Sequence, residues 1–255
     1  MTGSIRNFQL IVRFSALRML RDLPTLIALL CLPILIIPIV GAVFSKILEG
    51  NPFLSGARDS MSFFAVGIIV MFQLFDGSYT MNYIKDAFLT DRKWRLATAP
   101  CGPWCLAMGI TVAGWLASML QGLILVLFTR VILGVHWGNL GVVVAALAAA
   151  ALLSQLANLA LILLVRNHSL AASASWLFAY GSCMLGGLIF PLPTGLPFWR
   201  FMVDYGTPYS LAKTALIAAE GGRARADAAL GIGALFALAA LVAAFVALLG
   251  RRKLA

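Results

Sequence analysis

The chain has 255 residues, 62% of them hydrophobic and only 11% charged, with a mean hydropathy of +0.98. Soluble domains carry about 25% charged residues, so this composition has too little polar surface to cover a water-soluble globule. The excess of 19 Lys and Arg over 9 Asp and Glu, a formal charge of +10, is read in such an apolar chain as membrane sidedness, not nucleic-acid binding.

A helix needs about 20 apolar residues to cross about 30 Å of hydrocarbon. Segment 1–23 precedes the first such run. Within it Phe8, Val12, Ala16, Met19 and Leu23 recur at spacings of four and three, with Arg6, Arg13 and Arg21 on the other side. This pattern predicts an N-terminal amphipathic helix lying in the membrane interface; it reads equally as an arginine-rich topogenic flank. No small-residue cleavage site follows, so the first apolar run is expected to be retained.

Spans are expected at about 24–45, 60–84, 104–129, 137–165, 169–190 and 228–250. The fold class is therefore an all-α integral membrane protein with six transmembrane helices, 1–255 forming a single transmembrane domain. Between the fifth and sixth spans, 191–222 opens with Pro191, Pro193 and Pro197 and closes with Glu220, Gly221 and Gly222. It is too broken to cross. With both termini cytoplasmic, the N-terminal flank, the 85–103 loop, the turn at Arg166 and the C-terminal tail hold most of the basic residues on the inner side, as the positive-inside rule requires.

The 85–103 loop is the long inner connection. It mixes Asp86, Asp91, Arg92, Lys93 and Arg95 with Phe88, Leu89, Trp94 and Leu96, and is stopped by Pro100 and Pro103. A short amphipathic helix exposed to cytosol, with an aromatic anchor among charges, suits docking by another protein; the plainer reading is a topology-setting basic loop. Asp76 falls inside the second span, where a carboxylate costs about 3 kcal/mol on insertion scales and raises an ion-pathway or proton-relay role. The competing reading is a solvated cavity residue, or a partner for Lys85 or an N-terminal Arg.

Soluble-enzyme constellations are missing. His136 and His168 fall in loops on opposite faces, and neither HExxH, GxSxG nor a Walker GxxxxGK[ST] string occurs. His168-Ser169 reads as a helix cap. Cys101 and Cys105 have neither redox nor common zinc-site spacing. If ATP drives this protein, another chain must hydrolyse it.

The order of these parts resembles the membrane-spanning permease subunit of type-2 ATP-binding cassette (ABC) exporters. The likeness rests on TDRKWRLATAP (Thr90 to Pro100), LLVRN (Leu163 to Asn167), GGLIFPLPTGLPFWRF (Gly186 to Phe201) and TPYSLAKTALIAAEGG (Thr207 to Gly222). It covers nearly the whole chain. The family loop often carries a Glu-Arg-Glu and Gly-Thr phrase; here Thr90, Asp91, Arg92, Lys93 and Trp94 keep only its general character.

The resemblance implies that Thr90, Asp91, Arg92, Lys93, Trp94, Arg95 and Leu96 form a coupling helix gripped by a separate ABC ATPase subunit, which binds ATP and Mg. No cofactor is expected on this chain. It implies a homodimer, or a heterodimer with a similar permease, in contact with membrane lipids in a bacterial inner membrane. The cargo expected is a small molecule: a hydrophobic drug, an antibiotic, as in antibiotic resistance, or a lipid-linked compound. The outer 191–222 segment is expected to be re-entrant and to end in a small amphipathic helix. Phe72, Phe75 and Asp76 are candidate pathway residues, and Phe190, Pro191, Pro193 and Pro197 a candidate outer gate. The alternative is an ion-coupled secondary transporter or channel without an ATPase. Orientation is directly testable: a membrane-impermeant maleimide should label Asp204→Cys on intact cells and Lys93→Cys only after the membrane is opened, whereas the reverse pattern inverts the topology.

Overall fold

The computed structural model describes residues 2–48, 60–88, 102–165, 167–189, 192, 195–221 and 223–253. Among these residues every regular element is helical. Helix α1 (Thr2–Arg21) turns at Asp22 into α2 (Leu23–Leu48), followed by α3 (Ser60–Phe88), α4 (Pro103–Ile132), α5 (Leu140–Leu164) and α6 (His168–Leu185). A short α7 (Pro197–Phe201) continues into a π-helical turn, Met202–Gly206, before α8 (Pro208–Ala219) and α9 (Arg225–Lys253).

Five helices, α2, α3, α4, α5 and α9, are long and apolar enough to cross a membrane, so the chain is a multi-pass membrane protein. The expected span at 169–190 differs. Its helix, α6, has 18 residues, and Ser169, Ser173, Ser175 and Ser182 dilute its apolar character. It stops at Leu185 because Gly187 takes a φ of 75°, the backbone shape that closes a helix when the next amides fold back. Those amides are present: Gly187 donates to the Met184 carbonyl and Leu188 to the Cys183 carbonyl, each at 3.1 Å. The start of α6 is also shifted, since Asn167, not His168 or Ser169, caps it by accepting from the Ser169 amide.

Helix α3 is the axis of the protein. It packs against α2, α4, α5, α6 and α8. Its residues Phe63, Phe64, Val66, Ile69, Val70 and Leu74 are buried in the larger apolar core with Leu147 and Leu153 of α5 and Leu216 of α8. A second, smaller core lies near the other end of α3, where Met19 of α1, Ile84, Ile110 and Val246 meet, with Phe88 and Trp104 packed on its edge. The α1 stripe behaves as its periodicity predicts through Val12, Ala16 and Met19; Leu23 departs from it, being exposed at the start of α2.

Small residues let the helices approach. On α4, any side chain at Gly109 would overlap Ile11 of α1, and at Gly114 it would overlap Thr80 of α3. Near the far end, the α4–α5 connection is locked to α8. Trp137 is buried there with its indole Nε1 donating to Thr129 Oγ1 at 3.0 Å, and the Asn139 amide donates to the Ala219 carbonyl at 3.1 Å. Gly138 makes that lock possible, with a φ of 55° and a position where a Cβ would overlap the Ala219 carbonyl oxygen.

Helix α8 is not the amphipathic element expected at the end of the 191–222 segment. Tyr209 through Ala218 are buried on all sides against α3, α5, α6 and α9. Its many alanines and Ser210 are small enough for enclosure, and Thr207 caps it by accepting from the Ser210 amide at 3.0 Å. Gly138→Ala should lower the melting temperature in detergent by the equivalent of about 1–3 kcal/mol, since it adds backbone strain to the overlap; an unchanged melting temperature would remove the α4–α5 lock from this account.

Candidate functional site

One cluster of charged groups sits at the end of the α3 axis that bears Asp86. Arg18 of α1 donates from Nη2 to Asp86 Oδ2 of α3 at 3.0 Å, with its guanidinium 5.0 Å from the centre of the Tyr83 ring. Both partners of this ion pair are substantially exposed, so the pair orients α1 more than it stabilises it. Beside it, the α1–α2 elbow is pinned through Asp22, which accepts from Tyr83 Oη at 2.6 Å and from Thr25 Oγ1 at 2.8 Å. The second core fixes the same region: Phe88 ends α3, Trp104 lies in the first turn of α4, and a side chain at Gly250 of α9 would overlap the Trp104 ring. Helix α1, both flanks of the 89–101 segment and the end of α9 therefore meet at one end of the bundle.

At the other end sits a buried cation. Lys213 of α8 is 3% exposed, and its Nζ donates to the Gly186 carbonyl at 2.7 Å. It lies 5.6 Å from the Tyr209 ring centre and 6.0 Å from that of Phe63. By charge alone it reads as a surface residue of an outer loop; its place on the all-round buried α8 was hidden because an alanine-rich helix has no apolar stripe to follow. Arg223 pairs with Asp204, and Tyr205 Oη donates to Asp227 Oδ1 at 3.0 Å.

Between the two ends, the spans carry a buried polar ladder that was missed by searching for charges. Gln73 Nε2 donates to the Ser118 carbonyl at 2.8 Å, Gln155 Nε2 to Ser118 Oγ at 3.1 Å, and Gln121 Nε2 to the Leu29 carbonyl at 3.0 Å. Ser154 Oγ donates to the Leu74 carbonyl at 2.7 Å, and Ser175 hydrogen-bonds to Asn158. Such groups tie helices together where water is absent, typically about 1 kcal/mol each. The legible signal was the run of Gln, Asn and Ser inside apolar segments.

Asp76 stands beside this ladder and is 3% exposed, with neither carboxylate oxygen hydrogen-bonded among the described residues. The expected pairing with Lys85 or an N-terminal Arg is not found: Arg18 is committed to Asp86, and Arg6, Arg13 and Arg21 are exposed. The Asp76 side chain instead lines a cavity of about 170 Å³ walled by α1, α2, α3 and α4.

The other expected pathway residues do not line that cavity. Phe72 and Phe75 are buried in the larger core, Phe75 with its ring centre 4.9 Å from those of both Trp176 and Tyr180 on α6. Pro197 is exposed as the first residue of α7. Phe190, Pro191 and Pro193 lie outside the described residues, as does the whole coupling segment Thr90, Asp91, Arg92, Lys93, Trp94, Arg95 and Leu96. Among the described residues no cluster of His, Cys, Asp and Glu could hold a metal ion.

A family model described as ABC-2 type transporter matches residues 6–220, from the start of the α1 stripe to the end of α8. No curated protein and no solved structure matches the chain.

The elbow contact has a pH signature. Its hydrogen bonds from Tyr83 and Thr25 hold the Asp22 carboxyl below its usual value of 3.8. A depressed folded-state value means that the stabilisation is present above 3.8 and is lost as pH falls through the lower folded value. Tyr83→Phe should therefore melt below the wild type at neutral pH, and the gap should narrow below pH 3.8; a gap independent of pH would separate Tyr83 from the Asp22 charge.

Proposed function

The chain belongs to the ABC-2 type transporter family, and on that premise we propose that this permease forms an export pathway driven by a separate ABC ATPase subunit. The permease component of an ABC transporter is established by the family; the driving subunit, the dimer and the direction are our reading. The observation that carries it is the gathering of α1, the flanks of the 89–101 segment and the end of α9 on a single end of the bundle. A force applied there reaches α3 through the Arg18–Asp86 and Asp22–Tyr83 contacts.

In this reading the ATPase binds ATP and Mg and grips Thr90, Asp91, Arg92, Lys93, Trp94, Arg95 and Leu96. Its closure changes the relative stability of inward- and outward-open states, the lever being α3 and the elbow it is tied to. The end bearing α1 faces the cytoplasm of a bacterial inner membrane, both termini lie inside, and α6 completes a six-span bundle with α2, α3, α4, α5 and α9. Residues 191–222 form the outer re-entrant segment, with α8 as its buried foot and Pro191, Pro193 and Pro197 near the gate. Two such chains, identical or similar, enclose the route for a hydrophobic drug, antibiotic or lipid-linked molecule.

Ion-coupled transport without an ATPase is favoured by one observation, the unpartnered Asp76 within α3. Copurification decides between the two. Tagged chain extracted in mild detergent should bring down an ABC ATPase and gain ATP hydrolysis that the chain alone lacks. Trp94→Ala with Leu96→Ala should abolish export at unchanged expression and membrane insertion. Recovery of no ATPase, or undiminished export by the double variant, would turn the assignment towards the ion-coupled reading.

A further inference from the structure

We propose that the cavity beside Asp76 is a binding site within a single chain for a protonated amine carried on a small apolar body. Its walls come from four helices: Leu20 of α1, Leu26 and Leu29 of α2, Asp76 of α3, and Ala117 and Leu120 of α4 stand among them. The volume of about 170 Å³ is close to that of an apolar protein cavity of about 150 Å³ known to admit benzene. About half of the lining residues are aliphatic or Met, and among the described residues Asp76 is its sole acidic one, with no Lys, Arg or His.

The Asp76 carboxylate is an acceptor pair that the protein does not satisfy. Both oxygens are buried and unbonded. Few donors are at hand: Gln155 gives Nε2 to Ser118 Oγ and Ser78 its hydroxyl to the Phe75 carbonyl, while Gln121 gives one amide hydrogen to the Leu29 carbonyl, leaving Ser118 and Gln121 with one hydrogen each beside the carboxylate. Tyr83, lower on the same face, gives its hydroxyl to Asp22. A buried carboxylate in that condition costs several kcal/mol unless a donor or a cation reaches it. An ammonium group supplies both, with three N–H donors and the opposite charge.

The wall decides what kind of cation. A hard metal ion demands about six oxygens with carboxylates prominent among them, and this cavity offers a single carboxylate, its other oxygens being the neutral groups of residues such as Thr25, Thr80, Ser118 and Gln121. An organic amine uses the carboxylate for its head and the leucines for its body. Its entry is lateral: Leu20 and Leu120, which line the cavity, are 46% and 50% exposed on the flank of the bundle, so an apolar amine dissolved among lipid tails meets the cavity directly. The inference concerns binding by this chain and holds whether or not an ATPase drives transport, because binding is read on the permease alone.

The test uses the full chain in nanodiscs of zwitterionic lipid, with empty nanodiscs subtracted, and two probes of equal shape: benzylamine and benzyl alcohol. Wild type should bind benzylamine at least about ten-fold more tightly, the scale of a charged hydrogen bond made to a buried group. Asp76→Asn should fold with the same elution profile and lose that preference while still taking up the alcohol. Ala117→Phe, which fills the cavity from α4, should weaken both probes. Equal binding of the two probes by wild type, a preference for the amine that survives in Asp76→Asn, or full amine binding by Ala117→Phe would each overturn the proposal.

Discussion

A helix enclosed by protein within a membrane depends on its neighbours for hydrogen bonds that water would otherwise supply, and α3 is that helix. Its flanking helices supply the partners one by one. Ser154 of α5 reaches the Leu74 carbonyl, while Gln73 of α3 reaches across to the Ser118 carbonyl of α4. Glycine at the crossings keeps those distances short, as at Gly77, where a side chain would overlap Ser154 and Asn158 of α5. In the peripheral helices α2 and α9 only 17% of the most apolar stretch is buried, and their polar content is correspondingly small. Pro33 and Pro38 inside α2 are tolerated in such a setting because neighbouring helices and local adjustments can cover the freed carbonyls.

The same enclosure explains the separation of tasks along the axis. Ion pairs that water can reach are at the ends, Arg18 with Asp86 at one and Arg223 with Asp204 towards the other. In the middle, neutral amides and hydroxyls hold the helices. Asp76 breaks this division: a carboxylate in the neutral zone with neither oxygen hydrogen-bonded among the described residues. Gln73 Oε1, Gln155 Oε1 and Tyr209 Oη are also buried without a hydrogen bond among the described residues, but these groups are neutral; a carboxylate with both oxygens unmet is a larger violation, and one of that kind belongs to function more readily than to folding.

The long helices were legible in the sequence because uninterrupted apolar runs have one dominant explanation in lipid. The N-terminal stripe of Val12, Ala16 and Met19 was legible from its period and is the contact surface against α4. What escaped was set by small residues and by tertiary closure. The end of α6 depends on Gly187 taking a left-handed backbone, a cue that a hydropathy reading passes over. Enclosure of α8, and with it Lys213, follows from packing among alanines that carry no amphipathic signature. Asp76 was singled out from sequence, but that the expected Arg does not reach it needed the position of Arg18, which is paired with Asp86. Phe72 and Phe75 are buried in the core of the single chain, the packing role that bulky residues in a span more commonly have.

In the mechanism we propose, motion enters this permease at the end where α1, α3 and α4 converge, from a hydrolase pressed against the 89–101 segment. Placing a benzoylphenylalanine photocrosslinker at position 94 in cells tests it most directly. The account predicts a single cross-linked product containing an ABC ATPase, strengthened when ATP hydrolysis is blocked. Cross-links to lipid alone, or to this chain alone, would contradict it.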